Sequence, residues 1–254
     1  MTEQYNAKDL EVLEGLDPVR HRPGMYTETE RPNHLAQEVI DNSVDEALAG
    51  HAKKIKVVLH ADQSLEVTDD GRGMPVDIHP EKGISGVELI LTKLHSGGKF
   101  SNNNYKFSGG LHGVGISVVN ALSKRVEVTV RREGQVHEIA LEGGHAVTEL
   151  TVTGTCGRRN KGTSVHFWSD ASYFDSGNFS VTRLINNLRA KAVLCPGLEI
   201  TFSDKVNGND HKWFYEDGLK DYLAEGVKGY TVIPEVPFTG EFSAETEAAN
   251  WAII

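Results

Sequence analysis

Glu38 and Asn42 stand four residues apart in the run Gln37-Glu38-Val39-Ile40-Asp41-Asn42-Ser43-Val44-Asp45-Glu46-Ala47-Leu48. On a helix of 3.6 residues per turn they lie one above the other, roughly 40° apart, with Asp41, Asp45 and Glu46 flanking them. A carboxylate fixed on a helix can hold a water in line for attack on an electrophile. The bland alternative is a solvated face, since charge runs are usually surface. Ala36, Ile40, Val44 and Ala47 fall on the opposite side, so the helix is expected to set its back on a core and turn its polar stripe toward something else.

Asp69 is the second such residue. Period-two alternation in Ser64–Thr68 and its continuation puts Leu65, Val67 and Asp69 on one face, so the carboxylate points inward with its apolar neighbours. A buried carboxylate needs a donor facing it or takes up a proton. It opens Asp69-Asp70-Gly71-Arg72-Gly73-Met74-Pro75, whose glycines let the backbone turn sharply and approach a flat ligand. An ordinary Asp-Gly turn is the competing reading. Thr163 is the third, sharing an inward face with Val165 and Phe167 in a strand expected over 162–168. The fourth feature is the glycine- and asparagine-rich stretch His95–Gly115, the length of a lid, which runs into a helix expected over 116–122. Glycines feeding a helix N-terminus offer unpaired N–H groups to phosphate. No G-K-[S/T] follows, and the dinucleotide fingerprint is absent.

The elements that position these residues are expected in order. Leu10, Val12, Leu13 and Leu16 suggest a short helix stopped by Pro18 and Pro23-Gly24; Pro32-Asn33 starts the acidic helix and Gly50 ends it. Strands are expected over 55–60 and 64–68 about a turn at Ala61-Asp62-Gln63, then a helix over 85–94. Further strands are expected over 125–132, 136–141 and 146–152, a helix over 181–194, a strand over 198–203 and a helix over 213–225. The tail from Gly226 alternates as though opening a new sheet. It ends at Trp251-Ala252-Ile253-Ile254 as an apolar strand with no partner in view, as expected of a chain cut at the start of a further domain.

The composition suits a folded domain. With 254 residues and 39% hydrophobic residues the chain can bury a sizeable core. No run reaches the length of a membrane span and the N-terminus lacks a signal-peptide pattern. Cys156 and Cys195 have no metal or redox spacing, which fits a reducing cytoplasm, and the eleven histidines are scattered. A formal net charge of -10 excludes a surface that grips nucleic acid as a whole, so any role with DNA is local or indirect.

Taken together, the four features resemble the GHKL family of ATPases. Glu38-Val39-Ile40-Asp41-Asn42 is similar to its N box, and Asp69-Asp70-Gly71-Arg72-Gly73 to its first glycine box. Gly109-Gly110-Leu111-His112-Gly113-Val114-Gly115 is similar to the second, and Gly162-Thr163-Ser164-Val165 to the third. Within the family, Leu16–Tyr26, Asp45–Gly50 and His95–Phe100 resemble the B subunits of bacterial type IIA topoisomerases. The short link Thr27–Asn33 and the run Arg189–Gly197 lie nearer the topoisomerase IV branch than the gyrase branch, which stays as the alternative.

The resemblance implies an α+β fold, a two-layer sandwich of a mixed, mostly antiparallel sheet with helices on one face, the Bergerat ATP-binding fold. It implies an N-terminal arm over 1–15, an ATPase domain over 16–212, and a linking helix with the start of a transducer domain over 213–254. It implies ATP and Mg2+ as cofactors, Glu38 as general base oriented by His34, and Asn42 as the Mg2+ ligand. Asp69 would accept from the adenine amine and Thr163 would reach the ring through a water. Gly73, Met74, Pro75 and Ile90 would contact the base, Lys99 and Leu111, His112, Gly113, Val114 and Gly115 the phosphates, and Tyr105 the nucleotide under a closed lid. Tyr5 would reach the site of the other protomer in a dimer, and Arg72 and Arg132 would line the rim where ATP-site inhibitors bind. The implied partners are the A subunit of topoisomerase IV, a second copy of the B subunit in an ATP-dependent dimer, and double-stranded DNA in the whole enzyme. Without most of the transducer domain, this stretch alone is expected to bind ATP and turn it over slowly.

Overall fold

The computed structural model describes residues 6, 7, 10, 12–96, 113–244 and 247–254. Among them, a nine-stranded sheet carries helices on one face. Its strands are β1 (Lys54–Leu59), β2 (Leu65–Asp69), β3 (Ser123–Arg132), β4 (Gln135–Glu142), β5 (His145–Ala146), β6 (Thr151–Thr155), β7 (Gly162–Ser169), β8 (Glu199–Asp204) and β9 (Asn209–Phe214). The order is β5-β4-β3-β7-β2-β1-β8-β9, with β6 also on β4. Among these strands the pairing of β1 with β8 is parallel and every other pairing is antiparallel. The expected mixed, mostly antiparallel sheet is therefore observed.

Three central strands show how the core gives way to a polar end. Leu65 pairs with Phe167, and Val67 with Val165; on the far side of β7, Val126 faces Phe167 and Val128 faces Val165. These side chains are buried on the helical side of the sheet. One step further along the same face, the apolar rows end and Asp69 and Thr163 take their places, beside Val130. The alternation that fills the core thus delivers two polar side chains to its rim.

The helices over this face are α2 (Asn33–Leu48), α4 (Gly115–Ala121) and α5 (Val181–Leu194), with α1 (Asp17–His21) and α3 (Gly86–Thr92) at one side. Gly50, at φ +77, closes α2 as expected. Ser180 caps α5 by accepting from the Arg183 N–H, and its backbone is clasped by Asn33: Ser180 N donates to Asn33 Oδ1 at 2.8 Å and Asn33 Nδ2 donates to Ser180 O at 2.9 Å. The start of α2 is thereby fixed to the start of α5. Ser85 caps α3 in the same manner, ahead of Glu88 in a capping-box spacing.

Several expected elements are corrected. Pro18 does not stop a helix; it lies in the first turn of α1, where its missing N–H costs nothing, and residues 12–14 form no helix. The buried arc of α2 is wider than one stripe and takes in Asp41, Ser43 and Asp45, because α5 covers a second side. The strand expected over 146–152 divides into β5 and β6, since Val147 and Val152 are exposed and their alternation faces no core.

Trp213 belongs to β9 and not to a helix, and α6 begins only at Leu219 and runs to Gly226. The hairpin before β9 is built by Asp204, whose Oδ1 accepts from Val206 N at 2.9 Å and Asn207 N at 3.1 Å, with Gly208 at φ +76. The Asn207-Gly208 pair is the hairpin signal that the helical pattern obscured. The terminal strand does have a partner: β11 (Ala248–Ile253) pairs with β10 (Phe238–Ser243), Trp251 lying opposite Gly240.

Candidate functional site

Glu38 and His34 sit one turn apart on α2, with His34 Nε2 3.6 Å from Glu38 Oε1. Both are about one-quarter exposed. The other face of the Glu38 carboxylate meets α4. A Cβ added to Gly115 would lie 1.8 Å from Glu38 Oε2, so the first residue of α4 must lack a side chain for the carboxylate to rest there. Gly113, at φ +62, turns the chain in the left-handed region just before this contact, and Val114 is the residue preceding the helix. The acidic helix and the glycine-rich start of α4 therefore converge.

Asp69 is 7% exposed and hydrogen-bonded through both carboxylate oxygens. Its Oδ1 accepts from Gly71 N at 2.8 Å and Thr163 N at 3.3 Å, and its Oδ2 accepts from Ser43 Oγ at 3.0 Å. Burial pushes this carboxyl up to about 6, against the lowering influence of the three donors and with the added charge of Glu46. Gly162, at φ +130, permits the approach of β7, since a Cβ there would lie 2.0 Å from Asp69 O. Thr163 has two links to this turn: besides its N–H to Asp69, its Oγ1 accepts from Met74 N at 3.1 Å. Asp70 is structural, its Oδ1 accepting from Lys53 N at 2.7 Å and Lys54 N at 2.9 Å.

Around this floor stand the remaining expected contacts. Gly73, at φ +82, packs against Arg131 O and Val130, a Cβ there lying 3.0 Å from each. Its carbonyl accepts from Arg132 Nη1 at 3.1 Å. Arg72 is clamped on Glu46, donating from its backbone N at 2.9 Å, from Nε at 3.1 Å and from Nη2 at 2.7 Å. Met74 and Ile90 are half-buried against the core. Pro75 and Ile90 line a groove of ≈ 1180 Å³ between the turn and α3. Asn42 is half-buried on α2, one turn beyond Glu38. Tyr5, Lys99, Tyr105, Leu111 and His112, with all of 97–112 in the lid-length stretch, lie outside the described residues.

Three contributors were not foreseen. Ser43 shares the stripe of Ala36, Ile40 and Ala47 at helical spacing, and a hydroxyl on an apolar stripe signals a buried partner, here Asp69. Glu46, expected only as a flanking charge, orients the Arg72 turn. Lys191 on α5 pairs with the buried Asp41 at 2.7 Å and ties α5 to α2. Among the described residues there is no group of three His, Cys, Asp or Glu side chains able to hold a metal, and no helix long and apolar enough to cross a membrane.

Residues 27–172 match the model of the histidine kinase-, DNA gyrase B- and HSP90-like ATPases. The chain is 70% identical over 254 residues to the B subunit of DNA topoisomerase 4 from Salmonella typhimurium, covering 100% of this chain and 40% of that protein. Of solved structures, it superposes on the topoisomerase IV ATP-binding domain of Francisella tularensis, in complex with a small-molecule inhibitor, with a TM-score of 0.77 at 49% identity. That match covers 92% of this chain and 61% of the other. The 43K ATPase domain of Thermus thermophilus gyrase B, in complex with an aminocoumarin, superposes with a TM-score of 0.80 at 38% identity, covering 90% and 59%. The chain thus spans about 40% of the length of the curated relative it matches.

Proposed function

The chain belongs to the histidine kinase-, DNA gyrase B- and HSP90-like ATPase family, and from that premise we propose that it is the ATP-binding and ATP-hydrolysing part of a topoisomerase IV B subunit. The observation that carries the reading is the contact of Glu38 with Gly115, which sets a carboxylate against the glycine-rich helix start where phosphates would rest. A water held by Glu38 gives its proton to that carboxylate as its oxygen forms a bond to the terminal phosphorus, and the bond to the ADP oxygen breaks. His34 orients Glu38. Gly113, Val114 and Gly115, with Lys99, Leu111 and His112, hold the phosphates, and Asn42 offers its amide oxygen to Mg2+, which supplies charge neutralisation when bound.

The adenine floor suits its ligand. Asp69 Oδ2 has an acceptor site beyond its bond to Ser43, suited to the exocyclic amine. Thr163 Oγ1, which accepts from Met74 N, keeps its own proton for a bridging water to the ring nitrogen. Gly73, Met74, Pro75 and Ile90 form the apolar contact, Tyr105 closes from the lid, and Tyr5 reaches from a second copy. Arg72 and Arg132 border the same floor, where ATP-site inhibitors of the kind in the solved relatives would bind.

In the whole protein we place this part in the cytoplasm with the A subunit, a second copy of the B subunit and double-stranded DNA. Nucleotide-dependent dimerisation drives strand passage there, in decatenation and relaxation. The N-terminal arm ends near residue 15. The ATPase domain is taken as 16–212 and the linking helix with the start of the transducer as 213–254, with β9, which ends at Phe214, the last strand of the large sheet before that link. The equivalent part of the gyrase B subunit fits the same chemistry, but the higher identity to the topoisomerase IV relative supports the first reading. The test is ATP hydrolysis by the full-length protein and by Glu38→Ala: the variant should bind a non-hydrolysable analogue and lose about 10²-fold or more in turnover. Retained turnover would favour a nucleotide-binding module with another base. The present chain alone should bind the analogue yet turn over slowly.

A further inference from the structure

Thr27 lies in the link between the Pro23–Met25 turn and α2 and has no part in the reading above. It is 7% exposed, and its backbone N–H donates to Pro23 O at 3.0 Å, so the turn fixes its position. Its Oγ1 lies 2.9 Å from His34 Nδ1. On the other side of that ring, Nε2 faces Glu38 Oε1 at 3.6 Å. Three polar groups therefore stand in line, and the imidazole in the middle has two tautomers to choose from.

The chemistry of the line selects one of them. A neutral imidazole carries a single N–H. With the proton on Nδ1, the Nε2 lone pair would face a carboxylate oxygen, and two acceptors repel. With the proton on Nε2, an N–H points at Glu38, and Nδ1 needs a donor, which a threonine hydroxyl supplies.

We propose that Thr27 is a positioning residue for hydrolysis: its hydroxyl donates to His34 Nδ1, holds the Nε2–H tautomer, and so aims that N–H at Glu38 Oε1. Glu38 is then oriented with Oε2 against Gly115, beside the helix start where the phosphates would rest. This arrangement follows the general rule that a base is oriented by a third group hydrogen-bonded behind it. It rests on the assignment of Glu38 as base.

The test is a double-mutant cycle in the full-length protein, reading ATP turnover and the affinity of a non-hydrolysable analogue. Thr27→Val keeps the shape and removes the donor. It should lower kcat by about 5- to 20-fold, a part of the general-base contribution, with analogue affinity changed less than about twofold. Thr27→Ser should restore most of kcat. In a His34→Gln background, Thr27→Val should add almost nothing, because the hydroxyl acts through the ring. If Thr27→Val lowers the melting midpoint, Thr27→Cys, with a weak donor of similar size, takes its place with the same expected loss.

Unchanged kcat in the donor-deficient variant would overturn the proposal. So would a loss that adds in full to that of His34→Gln, or a Thr27→Ser protein as impaired as Thr27→Val. Glu38→Ala measured alongside separates the two levels: retained turnover there removes the base assignment, whereas its loss beside an unaffected Thr27→Val removes the role of Thr27 alone.

Discussion

Asp69 shows what a single buried residue commits the protein to. Its carboxyl is raised from the ordinary 3.8 to about 6, chiefly by burial, so the folded chain holds this proton more tightly than the unfolded chain does. From pH 3.8 to about 6 the folded state therefore loses stability, relative to unfolded, as pH rises, and above that the cost of the buried charge stands in full. An Asp69→Asn variant should lack this slope. The difference in urea midpoint between variant and parent should move in the variant's favour from about pH 4 to about pH 7, since an amide can still accept from Gly71 and Thr163 and donate to Ser43. Nucleotide affinity should move the opposite way, weakening as pH falls through about 6 and the acceptor takes up a proton; titration calorimetry across that range checks it. At this scale the sequence was informative because a period of two states which way a side chain points. Asp69 and Thr163 were legible for that reason, whereas the Ser43 bond was not, because it joins a helix to a strand whose separation no local pattern specifies.

At the scale of elements, the glycines mark where backbones or carboxylates must touch. Gly115→Ala should displace Glu38 and lower turnover by about 10²-fold, the usual penalty of roughly an ångström of misplacement, while the melting midpoint stays near that of the parent. Gly162→Ala is a different kind of change. Its Cβ would meet backbone at 2.0 Å in a left-handed conformation, so it should destabilise the fold by about 3 kcal/mol or more, read as a lower urea midpoint. The long periodic elements were legible, α5 to the residue and α2 with its Pro32-Asn33 start and Gly50 end. The errors fell where a strong local signal was outvoted by a weaker pattern: Asn207-Gly208 makes a hairpin, and Trp213 then completes a strand, stacked on His211 at 5.4 Å.

At the scale of the molecule, one parallel pairing organises the rest. The pairing of β1 with β8 joins segments far apart in the chain and brings α5 alongside α2, where Lys191 meets Asp41 at 2.7 Å. No sequence period encodes that crossing, so Asp41 was legible only as a charge flanking the polar stripe, and neither its burial nor its partner was. Lys191→Met should cost about 1–3 kcal/mol, between the values for exposed and buried pairs, because Asp41 would be left buried and uncompensated. Denaturant unfolding would show the loss, with nucleotide affinity changed less than about twofold. The most direct test of the site as a whole is calorimetric titration of the protein with a non-hydrolysable ATP analogue and Mg2+, beside Asp69→Asn. Binding by the parent is expected, with a loss of about 10- to 100-fold in the variant, the worth of a hydrogen bond to a charged group. Equal affinity in both proteins would contradict the pairing of Asp69 with adenine, and the base would have to be read elsewhere.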